Sequence, residues 1–315
     1  MRFSLTKDTS NAVRVLAALM VMFHHYSQYI MANGLSDSIF YQLLSTQGGY
    51  LGVAIFFFLS GYGLMESEQK SHLSLAAFFK RRFLNVYLPV LLVTALWLVS
   101  SLWLLPKSPF EGVGIAIGGG NWLIINNIFV DFGDSVLWFV KILIILYAIF
   151  YLFSLIYKGN RYAGLAFLVL AVAVTTVLEA EFQTQFKSIS IPYFALGVLM
   201  SVYKNREFSA ILSAIVALIS FAACGFFFYS TALAAHSAIN TVMLGIFILV
   251  LSIRQWEIRF PALLGVMSFD LYLIHNKVLQ TMKFNMDVAP LWMFVLITFV
   301  VTYLFYMLRS KVFKL

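Results

Sequence analysis

Apolar runs close to twenty residues long recur along this chain from residue 12 to residue 308, and no other feature restricts its fold so tightly. A run of that length forms a helix able to cross a hydrocarbon core about 30 Å thick. The expectation is an all-α integral membrane protein of about ten transmembrane helices, at 12–31, 48–66, 84–105, 136–157, 162–180, 190–203, 208–230, 238–253, 261–282 and 291–308. Composition agrees, with 62% hydrophobic and 11% charged residues and a mean hydropathy of +0.92. No soluble module, repeat or long linker interrupts the pattern, so residues 1–315 read as one polytopic domain.

The net charge of +8 comes from basic residues scattered in short clusters between the spans. That pattern reports topology rather than nucleic-acid binding. With the N-terminus inside, Arg2, Lys7, Arg14, Lys70, Lys80, Arg81, Arg82, Lys158, Arg161, Lys204, Arg206, Arg254, Arg259, Arg309, Lys311 and Lys314 are cytoplasmic, sixteen of the 21 basic residues. The opposite side holds Lys107, Lys187 and Lys283, while Lys141 and Lys277 fall within spans. The positive-inside rule therefore puts both termini in the cytoplasm. The Gly- and Asn-rich segment 106–135 is read as an external loop with a re-entrant piece, because a single crossing there would reverse every later loop. The first span resembles a signal peptide but carries Arg14 and a His pair and lacks a convincing small-x-small cleavage site, so it is expected to be retained. The single cysteine, Cys224, excludes an internal disulfide and argues against a zinc site, and no metal is expected.

Arg14 and His25 stand eleven residues apart on the first span. At about 100° per residue this is three turns plus roughly 20°, which places both on one helix face about 16 Å apart. His24 lies about 80° from Arg14 by the same count. Ionisable groups are expensive inside a membrane, and two in register suggest a shared path from one surface to a reactive centre. An imidazole with an unperturbed pKa of about 6.5 suits a general base. The competing reading is a His that only hydrogen-bonds a neighbouring helix.

Further candidates each carry two readings. Lys80, Arg81 and Arg82 in FFKRRFLNVYLP are topology determinants or a phosphate-binding mouth, since guanidinium groups pair with phosphate in two-pronged fashion. In GGYLGVAIFFFLSGYG, the glycines around Ser60 and Tyr62 permit close helix approach or leave room for a slender acyl arm. Ser268, Tyr272 and His275 follow i, i+4, i+7 spacing and share a face, either as structural hydrogen-bonding groups or as catalytic ones. His275 lies about 21 Å from Pro261 at the helical rise. Trp138 and Lys141 form an interfacial anchor or line an acceptor pocket.

Taken in order, these blocks resemble the bacterial membrane-bound acyltransferases of the acyltransferase-3 type. The Arg, ten residues, His signature of that family falls on Arg14 and His25, and FFFLSGY from Phe56 to Tyr62 is similar to its next block. KRRFLNVYLP, LWFVKILIILY from Leu137, YFALGVLM from Tyr193 and GVMSFDLYLIH from Gly265 follow in the family's order. One departure is Asn85, where family members often carry a second Arg.

The resemblance implies transfer of an acyl group, usually acetyl, from cytoplasmic acetyl-CoA to a hydroxyl of an envelope glycan or related acceptor. It implies His25 as the base, Arg14, Lys80, Arg81 and Arg82 as cofactor contacts, and residence in a bacterial inner membrane. Ser60, Tyr272 and backbone amides are candidate oxyanion donors. The chain resembles members without a fused esterase-like domain, which work alone, as homo-oligomers, or by passing the acyl group to a separate extracytoplasmic partner. A transporter or flippase using intramembrane His and Lys is the alternative, although no convincing inverted repeat is found. A non-catalytic scaffold explains the bundle but not the alignment of Arg14 with His25.

Overall fold

The computed structural model describes residues 5–72, 74–104, 138–182, 185–204, 242, 245–246 and 262–313. Among them there is no strand. In chain order the helices are α1 (Lys7–Ala32), α2 (Ile39–Leu43), α3 (Gly49–Lys70), α4 (Leu75–Arg82), α5 (Leu88–Leu104), α6 (Trp138–Gly159), α7 (Arg161–Phe182), α8 (Gln185–Ser188), α9 (Pro192–Val202), α10 (Ala262–Asn285) and α11 (Leu291–Phe313). Single π-helical turns, Leu44–Gly48 and Phe83–Tyr87, join α2 to α3 and α4 to α5 without a break. Five helical stretches among the described residues are long and apolar enough to cross a membrane: Ile39–Lys70, Trp138–Gly159, Arg161–Glu181, Ala262–Asn285 and Leu291–Lys311.

Local signals explain the helix ends. The Thr6 hydroxyl caps α1 by accepting from the Thr9 N–H at 3.1 Å, and Asp8 sits in the first turn, where the helix dipole favours an anion. At the other end Gly34 adopts φ 62°, and the Leu35 N–H reaches back to the Ile30 carbonyl at 3.0 Å, a Schellman-type closure. Asn160 caps α7, its Oδ1 accepting from the Tyr162 and Ala163 N–H groups at 3.0 and 3.1 Å. Pro192 opens α9 at the position where a missing N–H costs nothing.

The chain forms two compact units, Met1–His72 with Leu146–Val266, and Leu73–Ile145 with Met267–Leu315. In the first unit α3 is the inner helix, with 83% of its most apolar window buried, against 22% for α7. The outer face of α7, including Leu170, Val174 and Val177, is the surface expected to meet lipid. A stripe of small residues lets α3 touch its neighbours. A Cβ on Gly52 would lie 2.7 Å from the Ala17 carbonyl oxygen of α1. Gly61 and Gly197 form a reciprocal crossing, each facing a carbonyl of the partner helix, Phe194 and Phe58 respectively, at a separation no side chain could enter. Hydrogen bonds pin the crossing at both ends: the Ser190 hydroxyl donates to the Tyr50 carbonyl at 3.0 Å, and Ser201 and Lys204 both donate to Glu66 at 2.7 Å. Helices α3 and α9 therefore run in the same direction.

The end of α3 also carries Glu68, paired with His72 and with Lys158 of α6 at 3.7 Å, while Arg161 lies over the Tyr203 ring at 5.3 Å. Lys158, Arg161 and Lys204, all assigned to the cytoplasmic side by charge, thus contribute to contacts at the ends of these helices. In the second unit the Arg309 guanidinium donates to Asp270 at 2.9 Å, tying α11 to α10, and Asn285 donates to the Leu104 carbonyl at 2.7 Å, tying α10 to α5.

Two expectations are corrected. The 190–203 segment is an 11-residue helix, about 16 Å long, too short to cross the core alone; Ser188–Ile191 turns before Pro192 can start it. Lys80, Arg81 and Arg82 are not in a loop but in the last turn of α4, where cations complement the helix dipole. The 106–135 segment, the 208–230 and 238–253 spans and Cys224 lie outside the described residues.

The glycine crossing makes a direct test. Gly61→Ala or Gly197→Ala should destabilise the protein by about 1–3 kcal/mol through overpacking, lowering the unfolding midpoint of the detergent-purified protein. Gly63→Ala, where a Cβ meets nothing within 4 Å, should leave the midpoint unchanged.

Candidate active site

The α1 helix runs unbroken from Lys7 to Ala32. Arg14 and His25 therefore lie on one face of one rod, about 16 Å apart by helical rise. Both are half-buried. Arg14 lies within electrostatic reach of Tyr147 on α6, in the same compact unit. Near its start α1 meets the beginning of α10: a Cβ on Gly265 would collide with the Asn11 side chain, which is itself buried.

The two adjacent histidines do different things. His24 is buried, and its Nδ1 is 2.8 Å from the Leu44 carbonyl oxygen at the start of the first π-turn. Its ring occupies the space a side chain on residue 49 would need, since a Cβ on Gly49 would lie 2.5 Å from His24 Cδ2. His24 thus joins α1 to the entrance of α3. His25 is the more accessible of the pair, with its Nδ1 3.2 Å from the Gln28 side-chain oxygen one turn along. With that oxygen accepting, Nδ1 carries the proton and Nε2 presents the lone pair. The two rings meet edge to face at 5.0 Å.

Ser60 is half-buried, and Tyr62 is buried with its ring stacked on Phe58 at 6.3 Å. Gly49, Gly52 and Gly61 are filled by neighbouring helices, so the glycine stripe leaves no slot for an acyl arm at those positions.

The remaining candidates belong to the second unit. Lys80 and Arg81 are exposed on the last turn of α4, and Arg82 is half-buried with its guanidinium 5.3 Å from the Phe78 ring centroid. Ser268, Tyr272 and His275 share a buried face of α10. The Tyr272 ring packs against Phe139 at 5.2 Å and against His275 at 5.9 Å, and His275 Nδ1 is 3.2 Å from the Leu271 carbonyl of its own helix. Trp138 and Lys141 are half-buried at the start of α6. Sequence reasoning missed Gln28 and Tyr147. The i, i+3 spacing of His25 and Gln28 was a readable signal, whereas no local pattern marks Tyr147. Among the described residues no group of His, Cys, Asp or Glu is arranged to hold a metal ion.

The two rings are thus placed differently, His24 bracing the entrance of α3 and His25 standing beside Gln28 at the more accessible edge of α1. A family model for an acyltransferase domain matches residues 8–309, nearly the whole chain. The chain belongs to the acyltransferase-3 family. It is accordingly a membrane acyltransferase, built on several apolar helices. No curated protein and no solved structure gives a match.

The division of labour between the histidines is testable by stability. His24→Ala should cost about 1–3 kcal/mol by removing the ring that bonds the Leu44 carbonyl and fills the space beside Gly49, seen as a lower unfolding midpoint. His25→Ala should leave that midpoint within experimental error.

Proposed function

We propose that this acyltransferase moves an acetyl group from cytoplasmic acetyl-CoA to a hydroxyl of an envelope glycan or related acceptor, with His25 as general base. The observation that carries the reading is the placement of His25 beside His24: the buried ring is committed to a main-chain carbonyl, and the accessible one has its Nδ1 beside the Gln28 side-chain oxygen, a contact that suits a proton on Nδ1 and a lone pair on Nε2. In the proposed step the acceptor oxygen attacks the thioester carbonyl while His25 Nε2 takes the hydroxyl proton. The C–S bond then breaks, the ester forms, and the departing thiolate takes its proton from the imidazolium. A thioester is already activated, so positioning and one base account for the chemistry.

Arg14, one face-length away on the same helix, supplies a fixed cation for the donor's phosphates. Lys80, Arg81 and Arg82, gathered on the last turn of α4, form a separate cationic group of the second unit suited to phosphate. The sixteen basic residues assigned to the inner side support a cytoplasmic donor and a place in a bacterial inner membrane.

Membranes containing the wild-type chain, given labelled acetyl-CoA and the glycan acceptor, should transfer label to the acceptor. His25→Ala should lower that rate by about 10²–10⁴-fold, the usual contribution of a general base. Full activity in this variant would remove the assignment, and His24→Ala should lose less. Arg14→Ala should raise the KM for acetyl-CoA, and an unchanged KM would show that Arg14 does not meet the donor.

A further inference from the structure

The proposed base has a polar neighbour on its own helix. Gln28 follows His25 by three residues on the unbroken α1 rod, a spacing that makes two side chains neighbours on a helix surface. The Gln28 side-chain oxygen lies 3.2 Å from His25 Nδ1. Gln28 is exposed, whereas Ser27 and Tyr29 on either side of it in sequence are buried, so its amide shares the accessible edge of α1 with His25. The His25 ring also meets the His24 ring edge to face at 5.0 Å, and His24 is itself held by the Leu44 carbonyl at 2.8 Å. An anchored ring and a hydrogen-bonding side chain thus both bear on this imidazole.

An exposed glutamine exchanges a hydrogen bond to water for one to protein, so the contact adds little stability. Its consequence is chemical. A neutral imidazole carries one proton on either of two nitrogens, and only the form with that proton on Nδ1 can accept a second at Nε2. A side-chain oxygen beside Nδ1 selects that form. It does so without charge, unlike a carboxylate, which would also pair with the imidazolium and hold its proton. An imidazolium facing only an amide oxygen there gives its proton to a departing thiolate more readily. The neutral partner therefore suits a base that must release its proton within the same reaction.

We propose that Gln28 is a positioning residue for acyl transfer: its side-chain oxygen keeps the proton of His25 on Nδ1 and so presents Nε2 to the acceptor hydroxyl. The proposal rests on His25 as the base and adds what sets its tautomer. The Nδ1 proton stays in place throughout. The acceptor's proton enters at Nε2 and leaves from Nε2 to the thiolate, so Gln28 and the ring end the cycle as they began it.

Two measurements on the full-length chain test this. The first needs no substrate: nitrogen NMR of the purified protein with isotope-labelled histidine, at mildly alkaline pH to favour neutral rings. The His25 signals are those among the five histidines that vanish in His25→Ala. In the wild type Nδ1 should be protonated and Nε2 not. In Gln28→Met, similar in length but without a strong accepting atom, the two forms should mix. The second measurement uses membranes containing the chain and the glycan acceptor, given labelled acetyl-CoA. Gln28→Met should lower kcat about tenfold, the rate equivalent of one hydrogen bond. Its KM for acetyl-CoA and its unfolding midpoint should not change. Gln28→Glu, which keeps an accepting oxygen, should recover most of the lost rate. A proton on Nε2 in the wild type, or an unaltered spectrum or kcat in Gln28→Met, would overturn the proposal. Full activity in His25→Ala would remove the base itself, whereas an inactive His25→Ala beside a fully active Gln28→Met would remove only the role of Gln28.

Discussion

Backbone contact between α3 and its neighbours is the constraint on which the first unit depends. Within lipid, apolar side chains gain little by leaving one hydrocarbon surface for another, so helices associate through close packing and polar bonds. Gly52 against Ala17, and the Gly61–Gly197 crossing, bring main chains to distances that any side chain would prevent. Close approach in turn places Glu66 within reach of Ser201 and Lys204, and Tyr50 within reach of Ser190. The Glu66–Lys204 pair stays partly exposed at the helix end, so these bonds fix which residues meet more than they add strength. The second unit reaches the same end by another device, a buried ion pair between Asp270 and Arg309. Such a pair contributes little net stability compared with an apolar substitute, but separating it leaves a charge without compensation, which fixes the register of the two helices.

The candidate site inherits its geometry from this packing. His24 and His25 are neighbours in sequence, and a difference of about 100° around α1 separates their fates. One points into the seam with α3, meets a carbonyl and fills the volume left by Gly49. The other stays at the edge, where a side chain one turn away orients it. The proposed base role calls for an accessible nitrogen and an anchored helix, and the placement of the His pair supports it on both counts.

Much of this was legible from spacing. The uniform apolar runs of α7 and α11 read directly as spans, because no local signal competes with their length. The common face of Arg14 and His25 followed from helical period, and an unbroken α1 carries it. The length of α9 was not legible: the apolar run begins before Pro192, but Ser188–Ile191 turns instead of extending the helix. The anchoring role of His24 was also hidden, since its partner is a main-chain oxygen twenty residues away whose position no side-chain pattern encodes. The basic turn of α4 looked like a loop because three consecutive cations interrupt hydropathy. A short helix with cations at its C-terminal end satisfies the same sequence.

The π-turn at Leu44–Gly48 has one more implication. A π-turn is the imprint of a single extra residue held within an otherwise α-helical rod. Deleting that residue would return the rod to regular α-helix with its flanking faces nearly in register, whereas a further insertion would turn α3 by about 100° relative to α2. Every glycine now aimed at α1 or α9 would then swing toward a different neighbour. An insertion in this short stretch is therefore far more disruptive than its size suggests, and the spacing between His24 and Gly49 behaves as an upper limit in the architecture of this enzyme.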